Sequence, residues 1–321
     1  MYRFLILLLI SLFCAGCGVQ QNNAGNNQSA AIVVTDDFGF LQKKPQKIMT
    51  THSYLDNIML GLVEPEKMLS VSKNMDNSAK AFENEESSLV AHKITNPGLE
   101  AVFALKPDIF IVHEVIGEDK IQAYRDMGIP VYVVKLSTDI ASVEKEIIKL
   151  AQLVGEPERG KRLVAKMDEK LAKIDANIPK ELQFSKSTVL VSANYSSYGG
   201  RGCMYDDICK QAKVRNGVAD LGIISGHTVN KEVLIEINPD FFFISRGWKE
   251  NRVNDEKIMR EFMTDKSMEN LQAVKQGNVA LLDEKYIFAG HQNCVWAVQK
   301  LAHIVYGDRV EVEPEEFLKG F

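Results

Sequence analysis

Short apolar runs alternate with helical patterns along most of the chain after Ile32. Seven runs have the continuous apolar character that is typical of strands buried on both faces. These predicted strands cover residues 47–51, 68–72, 108–113, 131–135, 187–193, 240–245 and 279–283. Strands that alternate with helices predict an α/β protein with parallel sheets.

A long amphipathic helix is predicted between the fourth and fifth of these strands. Its apolar stripe, at three- and four-residue spacing, consists of Leu163, Met167, Leu171, Ile174 and Ile178. Pro157 suits the first turn of a helix, and Pro179 ends the pattern. About 22 helical residues would span about 33 Å. We expect this helix to be a stiff spine between two α/β lobes, the alternative being a core helix of a single domain.

One motif occurs twice, at an offset of 132 residues. Residues 99–113 read LEAVFALKPDIFIVH, and residues 231–245 read KEVLIEINPDFFFIS. Each predicts a short helix with a glutamate in its first turn, Glu100 or Glu232, followed by Pro-Asp and an apolar strand. An acid near a helix N-terminus is explained by the helix dipole alone. Two acids at equivalent positions also predict a docking surface for a basic partner.

The amino terminus has the pattern of an export signal. Arg3 precedes an apolar run over residues 4–13, which is too short to span a bilayer as a helix. Ala15 and Gly16 stand directly before Cys17, as in a bacterial lipobox, although Cys14 occupies the position where Leu is usual. We expect cleavage before Cys17 and its lipidation, the alternative being an ordinary signal peptide. Residues 18–31 are rich in Asn, Gln and Gly and predict a flexible tether.

Composition narrows the functional classes. The chain has 321 residues, is 45% hydrophobic and carries a net charge of -5, which suits a globular protein of about two domains. No dense Lys/Arg run is present, so nucleic-acid binding is not expected. Export would permit a disulfide between Cys203 and Cys209, but the sequence leaves that pairing open.

In the order and spacing of these motifs the chain resembles the solute-binding proteins of bacterial ABC importers for iron complexes and cobalamin. The resemblance rests on the lipobox, on PQKIM (45–49), on the two repeated motifs, on the long helix and on LQAVKQGNVALLD (271–283). It implies two Rossmann-like α/β lobes joined by one long rigid helix, with the ligand in the cleft between them. The implied segments are a signal (1–17), a tether (18–31), an N-terminal lobe (32–154), a connecting helix (155–179) and a C-terminal lobe (180–321).

The resemblance also implies a membrane permease as partner. Glu100 and Glu232 match the family positions that pair with permease arginines. Around Glu100 the motif departs slightly, because Pro97-Gly98 stands where Asn-Leu-Glu is common. The protein is expected to be a monomer and not an enzyme, with no intrinsic cofactor and no resident metal.

Candidate ligand contacts follow the ends of the predicted strands, because α/β proteins bind ligands beyond the carboxyl ends of their strands. They are His52, Tyr54, Tyr195, Tyr198, Arg201, Tyr205, Arg246, Trp248, Arg252, Tyr286 and His291. Asn74, His113 and Glu114 also follow strands. Arginine favours anionic oxygens, aromatic rings suit a bulky chelate, and Tyr or His could ligate ferric iron. These residues favour a ferric siderophore or haem, with cobalamin as the alternative.

The sequence bears on three rival functions. A zinc-binding protein or metalloenzyme could use Cys203, Cys209, His227, His291 and Cys294, but their spacing matches no zinc motif. A hydrolase is disfavoured because G-x-S-x-G, H-E-x-x-H and P-loop motifs are absent from the sequence. A sensor or adhesin that binds the same ligand is a further alternative.

Overall fold

The computed structural model describes residues 43–82, 85–191, 199–227, 229–246 and 255–321. The strands in this part of the chain are β1 (Ile48–Met49), β2 (Met68–Val71), β3 (His92–Lys93), β4 (Ile109–His113), β5 (Val131–Val134), β6 (Ser187–Val191), β7 (Arg215–Asn216), β8 (Phe241–Arg246) and β9 (Val279–Asp283). The helices are α1 (Ser53–Leu62), α2 (Glu86–Leu89), α3 (Leu99–Leu105), α4 (Glu118–Asp126), α5 (Ile140–Leu153), α6 (Pro157–Asn177), α7 (Met204–Gln211), α8 (Gly217–Asp220), α9 (Lys231–Ile237), α10 (Asp255–Thr264), α11 (Gln272–Lys275), α12 (Glu284–Ile287) and α13 (Cys294–Tyr306).

These strands form two separate parallel sheets. The first has the order β3-β2-β1-β4-β5 and the second has the order β7-β6-β8-β9. All recorded strand pairs run parallel, and β4 and β6 are buried along their whole lengths. Helices and strands alternate, so that helices cover the sheet faces as a parallel sheet requires. The predicted α/β class with two parallel-sheet units is confirmed.

The predicted long helix forms as α6, which connects the half built on the first sheet to the half built on the second. Pro157 occupies its first turn, and Leu163, Met167 and Ile174 are buried along one side. Gly160 lets α6 approach α5 closely, because a Cβ at that position would lie 2.5 Å from the Cβ of Ala151. The helix therefore packs as a core element as well as connecting the two sheets.

The carboxyl-terminal segment ties the two halves together. Trp296 in α13 donates a hydrogen bond to the Glu316 carbonyl at 2.8 Å, and the Gly320 amide donates to the Gly61 carbonyl of α1 at 2.8 Å. One hydrophobic cluster contains Ile48 near the first sheet, Leu190 in the second sheet and Leu163 of α6. The halves thus share buried apolar surface as well as a covalent connection.

The repeated motif folds in the same way in both halves. Helices α3 and α9 each end on a left-handed residue, Lys106 at φ 48° and Asn238 at φ 44°. Each helix leads through Pro-Asp into the next strand. Asp108 accepts the Lys47 amide at 2.9 Å, and Asp240 accepts the Ser187 amide at 2.8 Å, so each aspartate fixes the start of the first strand of its own sheet.

No helix among the described residues is both long and apolar enough to cross a bilayer. The predicted signal, the tether and Cys17 lie outside the described residues. Their assignments therefore stay predictions.

Candidate ligand-binding site

A cavity of about 620 Å³ lies between the carboxyl ends of the two sheets. The first-sheet wall consists of residues that follow β1, β2, β4 and β5, and the second-sheet wall consists of residues near α7 and after β9. Cavities of this size are typical of sites for small molecules and cofactors. The location agrees with the rule that α/β sheets bind ligands beyond the carboxyl ends of their strands.

Three histidines line this cavity. His52 caps the start of α1, His113 ends β4, and His291 precedes α13. The rings of His52 and His113 are stacked with centroids 5.6 Å apart, and Tyr54 meets the His113 ring edge-on at 5.4 Å. His113 and His291 are both 3% exposed, so these rings are held by the fold.

The backbone selects the same tautomer for all three rings. The Nδ1 atoms of His52, His113 and His291 accept hydrogen bonds from the amides of Tyr54, Val115 and Asn293 at 3.4, 3.2 and 3.3 Å. A neutral imidazole that accepts at Nδ1 carries its proton on Nε2. Each ring therefore has an Nε2–H group as its remaining hydrogen-bond donor.

The protein keeps these rings neutral near pH 7. Desolvation by the surrounding cavity wall and the neighbouring His113 lower the pKa of His52 to about 4, although the His52 side chain still contacts solvent at the cavity. Burial and the neighbouring His52 lower the pKa of His291 to about 3, and burial also lowers the pKa of His113. Neutral donors suit an oxygen-rich ligand without adding positive charge to the cavity.

His113 has a donor without a partner. Its Nε2 atom is buried and makes no hydrogen bond among the described residues. An unpaired buried donor costs about 1–3 kcal/mol, so such groups require an explanation. A ligand oxygen or an ordered water in the adjoining cavity would satisfy this atom.

The second-sheet wall is built from a glycine-rich turn and the start of α7. Gly200 has no space for a side chain, because a Cβ would lie 2.6 Å from the Ile224 carbonyl carbon. The Arg201 amide donates to the Ile223 carbonyl at 2.8 Å, and the Arg201 carbonyl accepts from the Ser225 amide at 3.0 Å. These contacts place Tyr205 in the wall, where its hydroxyl lies 2.9 Å from Thr188 Oγ1.

Opposite charges line the same cavity. Lys80 comes from the first half and Glu284 from the start of α12 in the second. Burial raises the pKa of Glu284 and the positive charge of Lys80 opposes that rise. The Glu284 Oε1 atom is buried without a hydrogen-bond partner among the described residues. The walls therefore offer both donors and an acceptor, which suits a ligand that carries polar groups of both kinds.

The structure brings together six of the residues that the sequence places after strands. His52, Tyr54, Asn74, His113, Tyr205 and His291 line the cavity. Tyr195, Tyr198, Trp248 and Arg252 lie outside the described residues. Their contacts with a ligand stay predictions.

Arg201, Arg246 and Tyr286 are not among the residues that line the cavity. The Arg201 side chain donates to the Ala219 carbonyl at 3.4 Å, and Arg246 forms an ion pair with Asp283 at the end of β9. The Tyr286 hydroxyl is 2.8 Å from both carboxylate oxygens of Glu315. Each side chain thus has a protein partner that its sequence neighbourhood did not reveal.

Two charged residues of the cavity wall, Lys80 and Glu284, were not expected from the sequence. His113 differs from them, because a histidine at the end of an otherwise apolar run is a local signal. Lys80 and Glu284 are 204 positions apart, and only the packing of the two halves brings both to the cavity. No local motif marks either of them.

The residues considered for a zinc site are dispersed. Cys203 and His291 line the cavity, Cys209 and Cys294 are buried, and His227 is exposed. Within the described parts of the chain, no group of three or more His, Cys, Asp or Glu is placed to hold a metal ion. Cys203, Cys209 and Cys294 are free, so the structure contains no Cys203–Cys209 disulfide.

Comparisons with known proteins agree with this architecture. The iron-uptake system-binding protein of Bacillus subtilis is 22% identical over 296 residues, which cover 86% of this chain and 88% of that protein. A periplasmic binding protein of Veillonella parvula superposes with a TM-score of 0.72 at 17% identity, covering 88% of this chain and all of that one. The periplasmic heme-binding protein RhuT of Roseiflexus sp. RS-1 superposes with a TM-score of 0.69 at 18% identity, covering 82% and 99%.

The structural likenesses show a shared fold of parallel-sheet lobes. The sequence match is more specific, because residues 48–286 fit the family described as periplasmic binding protein. That range includes both sheets and most of the cavity wall. The chain belongs to the periplasmic binding protein family.

Proposed function

We propose that this protein captures an iron complex, a ferric siderophore or haem, outside the cytoplasm and delivers it to an ABC importer. The cavity between the two sheets is the observation that carries the proposal. Its neutral Nε2–H donors from His52, His113 and His291 suit the oxygen atoms of a metal chelate or of a carboxylate substituent. The iron-uptake and heme-binding names of the relatives support this ligand class.

The cavity also has an apolar component that suits the body of a bulky ligand. Val115 and Leu136 on one side and Phe288 on the other line the cavity and stay exposed. Tyr54 and Tyr205 add aromatic surface with little rotational freedom. A ligand that combines polar oxygens with a flat or bulky apolar body would satisfy both features, as siderophores and haem do.

Delivery requires attachment and docking. In this proposal Cys17 carries a lipid anchor, residues 18–31 form the tether, and the exposed Glu100 and Glu232 pair with basic residues of the permease. The two lobes correspond to residues 32–154 and 180–321, with α6 between them. Docking charges of this kind mainly speed and orient encounter. The protein acts as a monomeric carrier without enzymatic activity or an intrinsic cofactor.

A calorimetric titration tests the proposal. Haem, cobalamin and several ferric siderophores are titrated into the purified protein, and we expect one-to-one binding of an iron complex with a Kd of about 1 μM or below. Val115→Trp, at the open side of the cavity, should weaken that binding at least tenfold. Val312→Trp is the matched control, because Val312 is also exposed but does not line the cavity.

Two results would count against the proposal. Binding that is equal in Val115→Trp and wild type would place the ligand outside this cavity. Preference for cobalamin over every iron complex would retain the carrier role but replace the ligand.

A further inference from the structure

An exposed apolar residue accompanies the glutamate in both repeats. Phe103 follows Glu100 by three positions and is 51% exposed, and Ile235 follows Glu232 by three positions and is 45% exposed. Residues three apart share one face of a helix. Each repeat therefore presents an acid and a large apolar side chain together.

The two pairs occupy equivalent places in the fold. In both helices the residue before the apolar one is fully buried, Val102 in α3 and Leu234 in α9. Both helices end in the left-handed conformation and continue through a buried proline into a central strand. Because the surrounding geometry repeats, Phe103 and Ile235 have the same position relative to their sheets.

A second matched pair lies just before the repeats. Leu89 is 67% exposed at the end of α2, and Leu221 is 44% exposed directly after α8, again at an offset of 132 residues. Single exposed apolar residues are common on soluble proteins and need no explanation. Two pairs at the same offset are better explained by a contact that both halves make.

Topology directs both acidic helices toward the cavity side of the sheets. Helix α3 precedes β4 and helix α9 precedes β8 in parallel sheets, so each helix starts near the carboxyl edge of its sheet. The cavity lies at these same edges. A partner that contacts both helix starts would therefore lie on the side where a ligand leaves.

We propose that Phe103 and Ile235 are apolar anchors that, with Glu100 and Glu232, dock onto a two-fold symmetric membrane permease. This inference rests on the proposed function and extends it to the chemistry of the partner. A repeated contact fits a partner that presents one surface twice, as a symmetric dimer does. Each copy would offer a basic residue for the glutamate and an apolar recess for the anchor.

The two kinds of contact have different effects. Exposed charges steer and orient the encounter, whereas a buried apolar side chain near the centre of an interface contributes affinity and slows dissociation. Loss of the anchors should therefore shorten the lifetime of the docked complex without changing ligand capture.

A transport assay tests the anchors. The double variant Phe103→Ser/Ile235→Ser should bind the ligand within twofold of wild type, while cellular uptake of ⁵⁵Fe, supplied as the chelate that binds in the titration, falls at least tenfold. Phe184→Ser/Val312→Ser is the matched control, because those residues are 47% and 48% exposed and lie outside the repeats. Phe103→Met/Ile235→Met should retain uptake. Uptake by the serine variant equal to the control would overturn the proposal.

Site-specific photo-crosslinking provides a readout that needs no ligand. With benzoylphenylalanine placed at position 103 or 235 in intact cells, we expect both positions to crosslink to the same permease subunit, and positions 184 and 312 to give no such product. No membrane-protein product from 103 and 235 would overturn the docking proposal. Absence of chelate binding in the titration would instead overturn the proposed function, so the two failures are distinguishable.

Discussion

The outer helices of the two halves are alike, whereas the cavity walls that face each other differ. Helices α3 and α9 share a buried apolar residue, a left-handed end and a Pro-Asp connection. The first-sheet wall has stacked His52 and His113, and the second-sheet wall has Tyr205 and Glu284. The two halves thus share a repeated outer surface at α3 and α9, but each contributes a different wall to the cavity. Repetition suits a symmetric partner, and unlike walls suit an asymmetric ligand.

The largest expected effect tests whether the repeated helices α3 and α9 contribute comparably to the stability of the protein. Val102 and Leu234 are equivalent and fully buried. Leu234→Ala should lower the free energy of unfolding by about 3 kcal/mol and Val102→Ala by about 2 kcal/mol, because each removes buried apolar atoms and leaves a cavity. Urea denaturation measures both. A loss below about 0.5 kcal/mol in one half alone would show that the halves are not equivalent.

The next effect comes from the histidines that distinguish the walls. The pKa of His291 is about 3 in the folded protein and about 6.5 when unfolded, so only the unfolded state takes up this proton between those values. Stability should fall as the pH decreases through this window, by about 2 kcal/mol for His291 between pH 6.5 and pH 5.

The variant His291→Gln should therefore have a shallower decline of stability from pH 6.5 to pH 5 than wild type. Comparing the slopes removes contributions from other groups, such as Asp56, whose pKa burial raises to about 7. His92→Gln, at the exposed end of the first sheet, is the matched control for replacing a histidine by glutamine. Identical slopes in all three proteins would contradict the burial of a neutral His291.

A smaller effect tests the Pro-Asp connections. Burial alone would raise the pKa of Asp240, but the Ser187 amide and the Lys186 ammonium group lower it. The stability that Asp240 contributes is present at neutral pH and is lost as the pH falls below about 4. Asp240→Ala should cost about 1.5 kcal/mol at pH 7, and Asp108→Ala about 1 kcal/mol because Asp108 is more exposed. Thermal unfolding should show that the loss of stability caused by Asp240→Ala, relative to wild type, is smaller at pH 3 than at pH 7.

The smallest effect compares the contributions of His113 and Arg201 to ligand affinity, the first placed in the cavity wall by the structure and the second expected from the sequence. His113→Asn retains an acceptor for the Val115 amide but removes the imidazole Nε2–H, so ligand affinity should fall about tenfold, or about 1.4 kcal/mol. Arg201→Ala should change affinity less than about threefold, because its side chain points to the Ala219 carbonyl. If calorimetry instead showed a larger loss of ligand affinity for Arg201→Ala than for His113→Asn, Arg201 would be the more important ligand contact.

The sequence allowed prediction of the main strands, α6 and the repeats because local periodicity determines them. Predicted strand 279–283 and β9 coincide, and the predicted strand at 240–245 differs from β8 by one residue at each end. The strands β3 and β7 were not predicted, since each has two residues and polar side chains, with no periodicity to detect.

The set of residues that line the cavity was less predictable, because tertiary packing determines which side chains reach it. His52 and Tyr54 could be placed by the rule for strand ends, but Arg246 is 37 residues from its partner Asp283 and Tyr286 is 29 residues from Glu315. No local pattern shows that these side chains are already engaged. Likewise, the close spacing of Cys203 and Cys209 did not decide whether they pair, and the structure shows both as free thiols.

The most direct test of the central claim is the position of iron in the loaded protein. Crystals grown with the chelate that binds in the titration would be measured at the iron absorption edge. We predict one anomalous peak inside the cavity, between the walls that contain His113 and Tyr205. A peak outside this cavity, with the cavity itself empty of chelate, would contradict the account.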